Sequence, residues 1–380
     1  MKRILLASTA IVAFAGAAAA DGHATDGVSF SGDAEFGYND EFNSGFFWSV
    51  GASLAYSATL NNGLTAAVSG DVEFNNDSNS TLDGNEITID DLVVTLSSDM
   101  ASLAFGDTPP AADALYSSPV TNVDADGFAD EGDASAVGED GIIIGRVTVG
   151  PAELGVSYYV FSADDGPGGT NDDFQNLQLG GTATLGTVDV TFGYQEGGTT
   201  GDGTTGPGTV ELPQIFAIGA STTLAGVELG FAYADNETVQ SIGVQGAYTI
   251  GDVTATVFYV SQDEVDDNYG IALDYASGPV TVGFLFHDGN DEDLQLNVTY
   301  DVGNGLELFG GYRDERENGA GLEGSEVFYV GGDYDLGGDA TLRISYADVT
   351  TGPGDDLTLD ELGASEDVKE GVTVAVSFSF

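Results

Sequence analysis

Apolar and polar side chains alternate with a period of two along most of this chain. Leu294, Leu296, Val298 and Tyr300 take turns with Gln295, Asn297 and Thr299, and Val188, Val190, Phe192 and Tyr194 with Asp189, Thr191, Gly193 and Gln195. Leu64, Ala66, Val68, Val72 and Phe74 repeat the pattern against Thr65, Ala67, Ser69, Asp71 and Glu73. Successive side chains of a strand point to opposite faces, so each segment predicts a β-strand with one apolar face and one polar or small face. No stretch sustains helical spacing. Twenty such segments can be marked, the first from Val28 to Tyr38 and the last from Gly371 to Phe380.

The connections alternate as well. Tight turns such as Asn61-Asn62-Gly63, Gly150-Pro151, Ala225-Gly226 and Gly303-Asn304-Gly305 are interleaved with longer acidic, glycine-rich loops. Short turns at one end and long loops at the other are the layout of an outer-membrane barrel. The expected fold is therefore all-β: a transmembrane antiparallel up-and-down β-barrel of 16–20 strands, with a direct count of 20. A soluble sandwich would hide the apolar faces inside. Three features favour apolar faces turned to lipid: tyrosines such as Tyr194, Tyr248 and Tyr300 gather at strand ends, the polar faces carry little lysine, and a closed ring leaves no edge to aggregate.

The N-terminus changes the picture from a sheet to an exported sheet. Lys2 and Arg3 precede the apolar run from Ile4 to Phe14, and Ala18-Ala19-Ala20 offers a small-residue cleavage site before Asp21. Residues 1–20 read as a secretory signal peptide and 21–380 as the barrel. Across all 380 residues, 63 acidic side chains face 7 basic ones, a formal charge of -56. That balance excludes nucleic acid as a partner, since its binding rests on Lys and Arg neutralising phosphates. Strong acidity can signal disorder, but a chain with 42% hydrophobic and 10% aromatic residues folds. Cysteine is absent.

The last strand alternates Val372, Val374, Val376, Phe378 and Phe380 with Thr373, Ala375, Ser377 and Ser379, and the chain stops on Phe380. Phe378 and Phe380 resemble the terminal address that outer-membrane barrels present to their assembly machinery. With the opening segment Val28-Ser29-Phe30-Ser31-Gly32-Asp33-Ala34-Glu35-Phe36-Gly37-Tyr38, the run Phe105-Gly106-Asp107 before a long loop, and the repeated hairpins, the chain resembles the bacterial outer-membrane general porins of the alphaproteobacterial type. The resemblance covers most of the mature chain. It implies a homotrimer of barrels in outer-membrane lipid, each with its own pore for small hydrophilic solutes. It also implies that the loop after the fifth strand, here 108–140, folds inward as a constriction. General porins have sixteen strands, so the count of twenty is a departure.

Charged rings select ions by sign. The family sets lumenal Arg against an acidic inward loop, and Arg146, Arg343 and Arg313 have the strand parity of lumenal residues. With Asp113, Asp124, Asp126, Asp130 and Glu131 of the loop they are the candidate constriction residues. So few bases leave the lumen and loops negative, which predicts a preference for cations. Calcium, which takes six to eight oxygens, is a candidate ligand at Asp124, Asp126, Asp130 and Glu131, or along the run from Asp288 to Asp293, although none has EF-hand spacing. No other cofactor is expected. A catalytic reading is disfavoured: His23 follows the signal peptide and His287 stands as a lone lumenal histidine, without the base-and-nucleophile pairing a hydrolase needs. The competing class is a secreted calcium-binding β-rich surface or adhesive protein.

Overall fold

A computed structural model of the chain describes residues 27–42, 45–75, 86–129, 141–161, 173–200, 210–289, 292–318, 322–323, 326–350 and 368–380. The expected signal peptide lies outside the described residues. The strands are β1 (Gly27–Asn39), β2 (Phe46–Thr59), β3 (Thr65–Asn75), β4 (Glu86–Ser97), β5 (Ala101–Gly106), β6 (Gly141–Val149), β7 (Ala152–Phe161), β8 (Asp173–Leu185) and β9 (Val188–Gln195). The short β10 (Gly198–Thr200) and β11 (Val210–Leu212) follow, then β12 (Ile215–Leu224), β13 (Val227–Asp235), β14 (Gln240–Ile250), β15 (Val253–Gln262) and β16 (Asn268–Ser277). The remainder are β17 (Val280–Asp288), β18 (Glu292–Gly303), β19 (Leu306–Asn318), β20 (Leu322–Glu323), β21 (Glu326–Asp335), β22 (Ala340–Thr350) and β23 (Gly371–Ser379).

Each long strand pairs antiparallel with its neighbours, and β23 returns to pair with β1 from Asp33↔Ser379 to Asn39↔Thr373. Twenty strands close the ring, matching the direct count. The sequence pattern did not mark β10, β11 or β20, because two or three residues carry no period. β10 and β11 pair with each other in a separate two-stranded sheet, and β20 pairs with the end of β19. The tight connections lie where expected. Asn304 and Gly305 both take positive φ, 56° and 81°, the backbone of a two-residue turn whose twist suits an antiparallel hairpin.

The two faces differ as the period predicts. Large apolar side chains including Val244, Leu229, Val257 and Phe231 are exposed on one face. At the long-loop end, Tyr259, Tyr269 and Tyr312 donate their hydroxyls to Asp267, Asp288 and Glu326 at 2.6, 2.8 and 2.5 Å. That is an aromatic belt with its polar tips held at the rim. The other face departs from the simple rule. Ile142 and Ile144 share the face of Arg146, and Phe258 and Val260 share that of Gln262; all four apolar side chains are buried. Part of the inner wall is apolar because a loop covers it.

Candidate functional site: the inner wall and the loop after the fifth strand

The described part of this loop, 108–129, starts with Pro110 capping a five-residue helix, α1 (Ala111–Leu115), and later makes a 3₁₀ turn over Asp124–Asp126. The helix is too short to show a helical period in sequence. Its Ala111, Ala112 and Leu115 are buried against β7, β8 and β9. Further along, Val120, Val123 and Ala125 pack with Ala217, Ala232, Ala234, Phe258 and Val260 of the wall. The loop therefore lies on the inner face from β7 round to β16, held by a hydrophobic underside.

A loop pressed on a wall must still satisfy its backbone. Here wall side chains do so. Ser157 Oγ accepts the Ala111 N–H at 2.8 Å, and Gln178 Oε1 accepts that of Ala112 at 3.1 Å. Gln195 Oε1 accepts the Ala129 N–H at 2.9 Å, while Gln178 Nε2 and the Tyr159 hydroxyl donate to the Ala129 carbonyl at 3.0 and 3.2 Å. Gln245 Oε1 accepts from both the backbone and the hydroxyl of Thr121, and Asn268 Nδ2 donates to the Asn122 carbonyl at 3.1 Å. Glycines make the close approach possible. A methyl group at Gly180 would overlap the Ala111 carbonyl, and one at Gly230 the Pro119 carbonyl.

A β-bulge helps aim these groups. Between the pairs Ser157↔Gln178 and Tyr159↔Gln175, β8 has one more residue than β7, and Asn176 there takes φ 49°. Bulges re-aim side chains, and this one sits beside Ser157, Tyr159 and Gln178, all three of which touch the loop. None of these amides stood out in the sequence; their inward parity was readable, but their partners were not.

The predicted residues fall as follows. Asp113 lies on α1 and Asp126 on the 3₁₀ turn, both half-buried within the docked loop. Asp124 begins that turn. Asp130 and Glu131 lie outside the described residues, as does part of the run from Asp288 to Asp293. Arg146 on β6, Arg313 on β19 and Arg343 on β22 stand on the inner face, and each pairs with a carboxylate of the wall. Arg146 is 4.0 Å from Glu153 and Arg313 is 3.4 Å from Asp293. Arg343 binds both oxygens of Asp333, at 2.9 and 2.7 Å, and lies 5.2 Å from the centroid of the Phe309 ring. Gln295 Nε2 also donates to Asp293. His287 is buried on the inner wall, its ring nitrogens without hydrogen bonds among the described residues. Burial, and next the Asp126 carboxylate, push the Tyr116 hydroxyl well above the usual tyrosine pKa. Among the described residues, no group of three His, Cys, Asp or Glu side chains comes together as a metal site.

A family model described as Gram-negative porin matches residues 7–260 and 236–355. Among solved structures, a five-substitution mutant of Rh. blastica porin aligns over 93% of this chain and 100% of its own, at 13% identity and a TM-score of 0.46. A triple mutant of Rhodopseudomonas blastica porin aligns over the same shares at 12% identity and a TM-score of 0.45. No curated protein sequence matches. The alternating strands, the closed ring and a family match over most of the length agree: this chain belongs to the Gram-negative porins, channel proteins of the outer membrane.

Proposed function

We propose that the protein is a passive diffusion channel for small hydrophilic solutes and ions, that it prefers cations, and that the loop of 108–140 narrows its pore. The observation that carries this reading is the docking of the loop along the inner wall from β7 to β16. The loop brings Asp113 and Asp126 with it, while Arg146, Arg313 and Arg343 already have wall carboxylates beside them. Paired bases contribute little net positive potential, so the excess acid of the chain dominates the field that an ion meets. In this reading residues 1–20 direct export and are removed, Phe378 and Phe380 address the chain to the assembly machinery, and three copies associate in the outer membrane. The family match gives no support to the adhesive surface protein.

Planar-bilayer recording under a salt gradient tests the proposal. Stepwise conductance, with a reversal potential of the sign set by cation flow, is the expected result. A reversal potential favouring chloride would remove the cation preference, and a purified barrel that never conducts would remove the channel.

A further inference from the structure

Among the described residues, the three arginines of the inner wall have carboxylate partners and Lys369 has none. Among the described residues no carboxylate lies within 4.0 Å of its ammonium, which instead sits 5.3 Å from the centroid of the Phe47 ring. Phe47 is buried on the inner face of β2, lying over Gly37 of β1, where a Cβ would strike the ring. A cation over an aromatic face is attracted by the ring quadrupole.

The residues on either side of Lys369 are fastened to the same wall. Val368 is buried with Phe309 of β19, Val327 and Tyr329 of β21 and Ala347 of β22. The Glu370 carbonyl accepts a hydrogen bond at 2.7 Å from Asn39 Nδ2, and that amide, wholly buried, also donates to Thr373 Oγ1 at 2.8 Å. Val368, Lys369 and Glu370 thus press on the inner wall over β19, β21 and β22 and over β1 and β2. The loop after β5 presses on it from β7 to β16. In the order of the ring these two arcs lie on opposite sides.

Resting on the channel reading above, we propose that the segment Val368–Glu370 is a second lumenal element, facing the loop across the pore, and that Lys369, a cation with no carboxylate within 4.0 Å among the described residues, tunes the selectivity of the lumen. The loop brings acid to one side and Lys369 places a positive charge on the other. A permeating cation is thereby steered towards the loop, and the cation preference stays below what the bulk charge alone would set.

The chain has no cysteine, so Lys369→Cys introduces a single thiol. Wild-type protein, Lys369→Cys and Lys369→Glu are compared in planar bilayers, with heat-modifiable gel migration confirming that each barrel is assembled. Lys369→Glu is expected to raise the cation-to-anion permeability ratio roughly twofold or more, the effect of reversing a unit charge within several ångströms of the ion path. Coupling a cationic thiol reagent to Lys369→Cys is expected to restore the wild-type ratio, and an anionic reagent to raise it. Phe47→Leu is expected to shift the ratio while Lys369 is intact and to add nothing in the Lys369→Glu background. Unchanged ratios in Lys369→Glu and after both reagents, in channels that conduct normally, would overturn the role of Lys369 and leave the channel reading standing. A wild-type protein with no conductance would overturn both.

Discussion

Gln178 touches the loop at two points, accepting from Ala112 and donating to Ala129, and it also donates to Gln195 at 3.0 Å. All three contacts are buried, so removing the amide strands the Ala112 N–H away from water and leaves the Ala129 carbonyl to the Tyr159 hydroxyl. A stranded group costs about 1–3 kcal/mol. Gln178→Ala is therefore expected to loosen the loop without opening the ring, whose ladder bonds do not involve this side chain. Limited proteolysis within 108–129 and excess open-channel noise would report the loosening; wild-type noise and protection would contradict it. Arg343 makes the converse case. Arg343→Met frees Asp333 from a bidentate partner and adds an unpaired acid to the inner wall. The cation preference is expected to rise, read as a shift in reversal potential.

At the scale of the element, the loop behaves as a unit with an apolar underside and a polar ladder, and Tyr116 titrates within it. Its folded pKa lies above the unfolded value of about 10, so the stabilisation is fully present below that pH and is lost as pH rises through the higher folded value. Loop docking is expected to weaken in strong alkali, with channel noise rising above about pH 10 in the wild type and staying level in Tyr116→Phe. A strand carries a different liability. Val244 stands near the middle of β14 with its side chain on the exposed apolar face. An arginine facing lipid at mid-depth costs roughly 2–4 kcal/mol. Val244→Arg is expected to lower the stability of the membrane-inserted barrel by that amount in urea titrations, whereas Ile250→Arg, on the same face but at the turn end of the strand, should cost less.

At the scale of the whole molecule, charge and closure dominate. Sixty-three acids against seven bases leave the channel in a negative field, and the reach of that field depends on salt. The Debye length falls from about 8 Å at 0.15 M to about 3 Å at 1 M. The permeability ratio is expected to decline towards unity across that range; a ratio independent of salt would tie selectivity to local contacts instead. Closure depends on the chain's two ends. Phe380 exchanges backbone hydrogen bonds with Gly32 at 2.8 and 2.9 Å, and its ring lies 5.7 Å from that of Phe30. Deleting Phe380 removes this clasp from the seam between β1 and β23. Assembled, heat-resistant barrel is expected to fall, measured by gel mobility before and after boiling.

Much of this was legible in one dimension, because a strand in a membrane barrel obeys a local rule. Period-two alternation and turn residues such as Asn304-Gly305 mark every long strand and its outward face, and adjacent antiparallel strands need no information from distant residues to find each other. The twenty-strand count and the parity of Arg146, Arg313 and Arg343 followed from that rule. The contents of the lumen did not. Whether Gln178 meets water or Ala112, whether Ile142 faces an aqueous pore or a covered wall, and whether Lys369 stands beside an acid or over Phe47 all depend on residues far apart in sequence. Only closure of the ring brings those partners together, since a side chain's inward direction is set by its own strand while its neighbour across the lumen is set by the shape of the whole barrel.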